Sequence, residues 1–302
     1  MKNRCVSSRK TDLGVFFQVL NGLDSEVSRA CVEELARADY KGYLSRTIDE
    51  SKYEDWRDFY RDYASISLLS KWQHFDLGVD RADLALKKFL SSETTCQATN
   101  ERFAALNRTA FPLAERLPSY LNMARGKIGA LLPDFNWDLA WPYMGFGPGA
   151  CTDLGRAKGD AFYKFGLRRP STTGANVGLA SCVMHMIPQW ETTESDDSGS
   201  VSLDGHSFTL VDGNHVTTVP KSAKIDRVIA IEPTMNMFVQ KGIGGLLRKL
   251  LKRRGVNLDS QKRNQLLAKA GSEVGRLATL DLSSASDSVA LGLVEWCYLL
   301  IG

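Results

Sequence analysis

The chain is 302 residues long, 43% hydrophobic and 24% charged, with a formal net charge of +3. This balance excludes a disordered or fibrous polypeptide and leaves room for two domains with buried cores. Its six cysteines (Cys5, Cys31, Cys96, Cys151, Cys182, Cys297) form no CxxC pair and its four histidines no HExxH pair, so no zinc site is legible and reduced thiols are expected.

The apolar stretches at 13–20 and 289–301 are too broken or too short for a signal peptide or a membrane span, and a soluble protein without a membrane partner is expected. Residues 24 to 130 read as helical. Asp24 or Ser25 can cap a helix running to about Leu44, with Val27, Ala30, Cys31, Glu34 and Leu35 near helical spacing. Between Asp49 and Trp72, the aromatics Tyr53, Trp56, Phe59, Tyr60 and Tyr63 interleave with Asp and Arg. Such rings can stack bases, but their spacing favours the core face of a helix. Further helices are expected near 81–90 and 99–106.

From 133 to 148 the composition changes. WDLAWPYMGFGPGA, Trp137 to Ala150, reads as a packed but irregular connection. Gly145, Gly147 and Gly149 fit neither GxGxxG nor GxxxxGK[ST], and Pro148 lacks a backbone donor, so a turn is expected. The acidic stretch 191–197 reads as an exposed loop. Strand-like segments at 201–203, 207–211 and 215–219 are separated by Asp204-Gly205 and Asp212-Gly213, which predicts a three-stranded antiparallel meander.

Charge is unevenly placed. Eleven basic but only three acidic residues (Asp226, Glu232, Asp259) fall between Lys221 and Arg263, an excess suited to a polyanion. In VPKSAKIDRVIAIEP, Val219 to Pro233, the cations Lys221, Lys224 and Arg227 recur every third residue, and Ile225, Val228, Ile229 and Ile231 anchor the chain between them. Such a ribbon suits a clamp for a triphosphate or a nucleic-acid backbone, with a solvated strand face as the plainer alternative. KGIGGLLRKLLKRR, Lys241 to Arg254, projects as an amphipathic helix with Ile243, Leu246, Leu247, Leu250 and Leu251 on one face. Lys241, Arg248, Lys249 and Lys252 lie on the other, open to RNA, a membrane surface or solvent, and Gly255 suits the C′ position.

The segment RLATLDLSSASDS, Arg276 to Ser288, sets Asp281 within an apolar run of Leu277, Ala278, Leu280 and Leu282. It reads as a short buried strand delivering a carboxylate to its tip, then a capped helix. A carboxylate so placed costs free energy unless a metal or a hydrogen-bond network compensates it. Ser284-Ala285-Ser286-Asp287 also reads as a capping box in which Asp287 reaches back to the helix start.

The succession VPKxxKIDR, IEPxxNMFxQxGIGGxLR (Ile231 to Arg248) and DLSSASDS resembles the replicase beta subunit of positive-strand RNA bacteriophages, the levivirus (Qβ-like) group. The resemblance is carried by residues 216–289, extends to FGPGA (Phe146 to Ala150) and is diffuse over the helical part. It implies an α+β fold of the right-hand polymerase type. Residues 1–130 would form a helical N-terminal region, 131–276 the fingers with the meander and basic motif F, and 277–302 the first strand and helix of the palm, motif A.

The activity so implied is that of an RNA-directed RNA polymerase, a nucleotidyltransferase that joins ribonucleoside triphosphates on a template during viral RNA replication, with two Mg²⁺ ions. Asp281 would be catalytic and, with the carbonyl of Leu282, a metal ligand. Lys221, Lys224, Arg227, Ser286 and Asp287 would bind the nucleotide, Arg227 through its bidentate fork, and Arg248, Lys249 and Lys252 would face RNA. Related polymerases read the ribose 2′-hydroxyl with a carboxylate usually set after four intervening residues. Here five separate Asp281 from Asp287, so ribose recognition and helix capping both stay open for Asp287, and Ser283 and Ser286 suit either.

No Gly-Asp-Asp occurs up to Gly302, so the resemblance implies the first half of a replicase, inactive and poorly soluble alone. Implied partners are template and product RNA, ribonucleoside triphosphates, host elongation factors Tu and Ts and a ribosomal RNA-binding protein, in the cytoplasm of an infected bacterium. No residue of this sequence carries the host-factor implication by itself. One rival is a non-catalytic RNA-binding module with a structural Asp281, separable by Mg²⁺-dependent nucleotide binding. The other is a reverse-transcriptase-like enzyme, against which the small Ser and Ala residues after Asp281 stand.

Overall fold

The computed structural model describes residues 5–108, 119–132, 136–187, 190 and 200–298, and the expected acidic loop at 191–197 lies outside them. The fold is mixed α+β. In chain order the helices are α1 (Cys5–Leu23), α2 (Glu26–Ala36), α3 (Tyr40–Ser45), α4 (Trp56–Ser67), α5 (Arg81–Arg108), α6 (Ser119–Leu131), α7 (Trp137–Ala140), α8 (Ala161–Phe165), α9 (Val177–His185), α10 (Thr234–Arg253), α11 (Lys262–Val274) and α12 (Leu291–Tyr298). The strands are β1 (Ser171–Thr172), β2 (Ser200–Leu203), β3 (His206–Leu210), β4 (His215–Pro220) and β5 (Asp226–Ile231). Among the described residues, no helix is long and apolar enough to cross a membrane. Every cysteine with a described side chain is a free thiol; burial pushes the Cys31 thiol up to about 11.

The chain forms two compact units, one of residues 1–89 with 218–229 and the other of 90–217 with 230–302. In the first, Ser25 opens α2 with a reciprocal cap: the Ser25 hydroxyl accepts from the Ser28 amide and the Ser28 hydroxyl from the Ser25 amide, both at 2.9 Å. The helix expected to run to Leu44 breaks instead at Ala38, whose φ is +58°. Asp39 then restarts it as α3 by accepting from the Gly42 amide at 2.9 Å. Leu20, Cys31, Leu35, Tyr43, Leu69 and Phe75 form the core, joined by Ala223 from the 218–229 ribbon. Tyr43 ties it together, its hydroxyl donating to the Ser65 carbonyl at 2.9 Å and accepting from the Leu69 amide at 3.1 Å.

The aromatics of α4 do not form a core face. Trp56, Tyr60 and Tyr63 are exposed, while Phe59 and Tyr53 are only half-buried and pack against one another at 5.5 Å. The core takes its share of this stretch from the end of α4 and beyond, where Ile66, Leu68, Leu69, Trp72 and Phe75 cluster, so the ring spacing marked a helix but not its buried side.

In the second unit α10 is the central helix. Met235, Phe238 and Val239 on its first turns meet Phe146, Val183, Met184, Trp190 and Phe208 in one cluster, and Leu246 and Leu250 meet Leu132 and Ala140 in another. Added Cβ atoms at Gly242 and Gly245 would run into Met144 and Tyr143, so these two glycines are what lets the 140–145 segment lie against the helix.

The expected meander is half present. Asp204 and Gly205, with φ of +52° and +79°, make the two-residue turn of the antiparallel β2–β3 hairpin, register Leu203 opposite His206. The next strand does not join it. β1 pairs parallel to β3, Ser171 opposite Thr209, which occupies the edge β4 was expected to take, and β4 pairs with β5 in a separate sheet.

Candidate functional site

The basic ribbon is held by its apolar and polar neighbours within the first unit. At its tip the Ser222 amide donates to the Ile225 carbonyl at 3.1 Å, and the amide of buried Ala223 donates to the Trp72 carbonyl at 3.0 Å. Arg81 grips the turn from α5, donating to the Ser222 carbonyl at 3.3 Å and lying 3.5 Å from the Asp226 carboxylate. Gln73 donates to the Pro220 carbonyl at 3.3 Å. The three candidate phosphate ligands then separate. Lys221 and Arg227 are exposed, with no hydrogen bond or ion pair to a described residue, whereas the Lys224 ammonium donates to the Leu44 carbonyl at 2.8 Å. A ribbon held this firmly offers two free cations without the entropic cost of ordering a loop.

On α10 the predicted apolar face is met, and Gly255 takes the expected left-handed conformation, φ +86°, after the last turn. Its cations, however, are engaged. Lys241 donates to the Phe146 carbonyl at 2.7 Å, Lys249 lies 5.7 Å from the Tyr143 ring centroid, and Arg248 and Lys252 share Asp259 at 3.9 and 3.1 Å. The two Asp259 ion pairs are exposed and weak, so Arg248, Lys249 and Lys252 form an available but partly neutralised surface.

The segment around Asp281 differs from its expected form. Residues 276–282 form no strand, and Leu280 and Leu282 are 88% and 74% exposed. A strand needs a paired edge, and both sheets find their partners elsewhere among the described residues. The segment is anchored at each end. Leu277 lies against Gly271 of α11, where a Cβ would meet the Leu277 carbonyl at 2.7 Å, and the Cys96 thiol donates to the Asp287 carbonyl at 3.3 Å.

The helix expected from Ser284 begins only at Leu291, after a single 3-10 turn over Ser286–Ser288 that has no side-chain cap. Ser284 stands at φ +51°, and Asp287, instead of reaching back, accepts from the Ser286 hydroxyl at 3.1 Å. The capping-box reading of Asp287 is thereby overturned.

Asp281 is exposed and bonded to no described side chain or amide. Among the described residues no group of three or more His, Cys, Asp or Glu is poised to hold a metal. Asp281 therefore offers one hard, unpaired carboxylate and not a cage. Magnesium accepts such a donor when phosphate oxygens and water complete its shell.

Two features escaped the sequence reading. Lys164 is fully buried, its ammonium donating to the Gly147 carbonyl at 2.8 Å and lying 5.7 Å from the Phe146 ring centroid. Asp153 accepts from the Ser171 amide at 2.8 Å, the Ser171 hydroxyl at 2.6 Å and the Thr234 hydroxyl, fixing the start of α10. A lone lysine inside the aromatic run AFYKF was the available signal for the first; the second joins residues too far apart in sequence to be seen.

Residues 24–299 match the family model described as RNA replicase, beta-chain. The chain belongs to the RNA replicase beta-chain family. Over 242 residues this replicase chain is 37% identical to the RNA-directed RNA polymerase subunit beta of Escherichia virus Qbeta, covering 79% of this chain and 38% of that protein. It is 38% identical over 242 residues to the RNA-directed RNA polymerase beta chain of Enterobacteria phage fr, covering 78% and 42%. Identity to the beta chain of Escherichia phage MS2 is 53% over 96 residues, 32% of this chain and 17% of that one. The replicase chain thus spans about two fifths of the length of these longer relatives.

Proposed function

We propose that this replicase chain supplies the nucleotide clamp and one metal-binding carboxylate of an RNA-dependent RNA polymerase that copies an RNA phage genome in the cytoplasm of its bacterial host. The observation that carries the reading is the family match over 24–299, which takes in both the basic ribbon and Asp281. The right-hand arrangement of fingers and palm belongs to this proposal.

In the reaction the 3′-hydroxyl of the growing strand attacks the α-phosphate of a ribonucleoside triphosphate, and pyrophosphate leaves. Lys221 and Arg227, free on a braced ribbon, hold the triphosphate and orient its α-phosphate for attack, Arg227 through two parallel N–H donors. Lys224 adds positive field while its ammonium stays on Leu44. Asp281, with the Leu282 carbonyl, would hold Mg²⁺. Bound there, the ion would lower the pKa of the attacking hydroxyl and stabilise charge on the leaving oxygens. The exposed Leu280 and Leu282 give Asp281 the apolar flanks that a neighbouring strand would cover. With capping removed, Asp287 and Ser286 are assigned to the ribose, and Arg248, Lys249 and Lys252 to the RNA backbone.

Nucleotide binding tests the reading in a replicase of the relatives' full length built on this sequence. Mg²⁺-dependent binding of a ribonucleoside triphosphate is expected, weakened about tenfold or more by Arg227→Ala, as for a charged bidentate contact. Binding indifferent to Mg²⁺ and to Arg227 would leave only an RNA-binding module.

A further inference from the structure

Arg156–Arg169 holds five basic residues and one acidic one, interleaved with Phe162, Tyr163 and Phe165. The structure sorts them onto two sides. Lys164 is buried against the Gly147 carbonyl, and Phe165 packs edge-on to Phe146 at 4.9 Å and Trp190 at 5.1 Å. Gly159 is buried where a Cβ would meet the Gly149 backbone. These contacts fix the segment to the FGPGA loop. On the other side Phe162 is 80% exposed and Tyr163 43% exposed. The two rings meet edge to face, centroids 5.5 Å apart at 79°, so at most one face of one ring is taken up by the pair.

The charge around these rings is unbalanced. Arg156 and Lys158 are exposed, and Lys158 lies 5.9 Å from the Tyr163 centroid. The one carboxylate, Asp160, is engaged as a cap, accepting from the Tyr163 amide at 3.2 Å. Arg156 and Asp160 also line an open groove of about 410 Å³ with Pro148 and Gly149 of the FGPGA loop. The aromatic face of α4 makes the contrast: there Arg57 and Arg61 lie 3.8 and 3.6 Å from Asp55 and Asp58, leaving little net charge.

We propose that this surface is a stacking platform for single-stranded RNA, on which a base stacks against Phe162, Tyr163 flanks it, and Lys158 and Arg156 hold the adjoining phosphates, with the FGPGA groove taking a sugar-phosphate unit. Exposed rings on a fixed support, with Lys158 beside them, match the chemistry of unpaired nucleic acid, whose every base has a π-face and every link a negative charge. The inference deepens the replication reading and rests on it for the strand being RNA.

The test measures fluorescence anisotropy of a labelled oligouridylate about 12 nucleotides long with the 302-residue chain. The Phe162→Ala/Tyr163→Ala variant should bind about tenfold or more weakly and melt at the same temperature, since both rings are exposed. Phe162→Trp should retain affinity, and Lys158→Gln should lower the slope of log affinity against log salt by about one. Unchanged affinity in the double variant overturns the proposal, as does absence of oligonucleotide binding by the unaltered chain. Loss of binding to anionic phospholipid vesicles with RNA binding intact overturns it in favour of a membrane face. Oligonucleotide binding does not depend on Asp281, so loss of the platform and loss of the catalytic assignment are separately visible.

Discussion

The Lys224 ammonium donates to the backbone carbonyl of Leu44 at 2.8 Å. A cation that sequence spacing grouped with two candidate phosphate ligands is thereby a strut between the ribbon and the end of α3. Lys224→Met is expected to lower stability by about 1 kcal/mol, the net worth of such a bond, whereas Lys221→Met, with no partner to lose, is expected to leave it unchanged. Urea denaturation of the two variants checks the difference.

Arg81 and Asp226 form a second strut, 3.5 Å apart, and Asp226 Oδ1 is buried with no hydrogen bond of good geometry. The contact is read as an ion pair by distance, without directional bonding. Removing the arginine leaves the carboxylate uncompensated, so Arg81→Ala is expected to cost about 1–3 kcal/mol. Adding Asp226→Asn should restore part of it. Additive losses in a double-mutant cycle would show that the two side chains act independently.

Gly244 and Gly245 are adjacent in α10 yet oppositely placed. A Cβ at Gly245 would enter the Tyr143 side chain, while none at Gly244 meets anything within 4 Å. Gly244→Ala is expected to stabilise by about 0.5–1 kcal/mol through helix propensity. Gly245→Ala gains the same propensity but overpacks by about 1–3 kcal/mol, so the net sign reverses. Thermal melts of the two variants check the signs.

His206 opens β3 and is buried, its Nδ1 without a hydrogen-bond partner. Burial first, and His185 second, hold its pKa below the ordinary histidine value, with Asp204 opposing. The unfolded chain then binds more protons than the folded one in the window from the lowered value up to about 6.5. Stability should therefore rise with pH through that window and level off on either side of it. Urea midpoints across mildly acidic pH check this, and His206→Gln should flatten the dependence.

Local signals were legible in the sequence where neighbours in the chain decide the outcome. Ser25 caps α2, Asp204-Gly205 turns the hairpin and Gly255 ends α10. Signals failed where a distant partner decides. The edge of β3 goes to Ser171–Thr172, a two-residue strand with no sequence signature, and β4 pairs with β5 instead. The α4 aromatics lie outside because the core is filled from Ile66 to Phe75. Around Asp281 the conformation was not legible, since an apolar run becomes a strand only beside another edge. The engagement of Lys224 and of the α10 cations was equally invisible, because their partners, Leu44, Tyr143 and Asp259, become neighbours only on folding.

The most direct measurement is template-directed ribonucleotide incorporation by a replicase of the relatives' full length carrying Asp281→Asn, with RNA affinity measured alongside. The asparagine keeps the size of the side chain and removes its charge, so incorporation should fall by at least about a hundredfold while RNA binding is retained. Incorporation at the unaltered rate would contradict the assignment of Asp281 as a catalytic metal ligand.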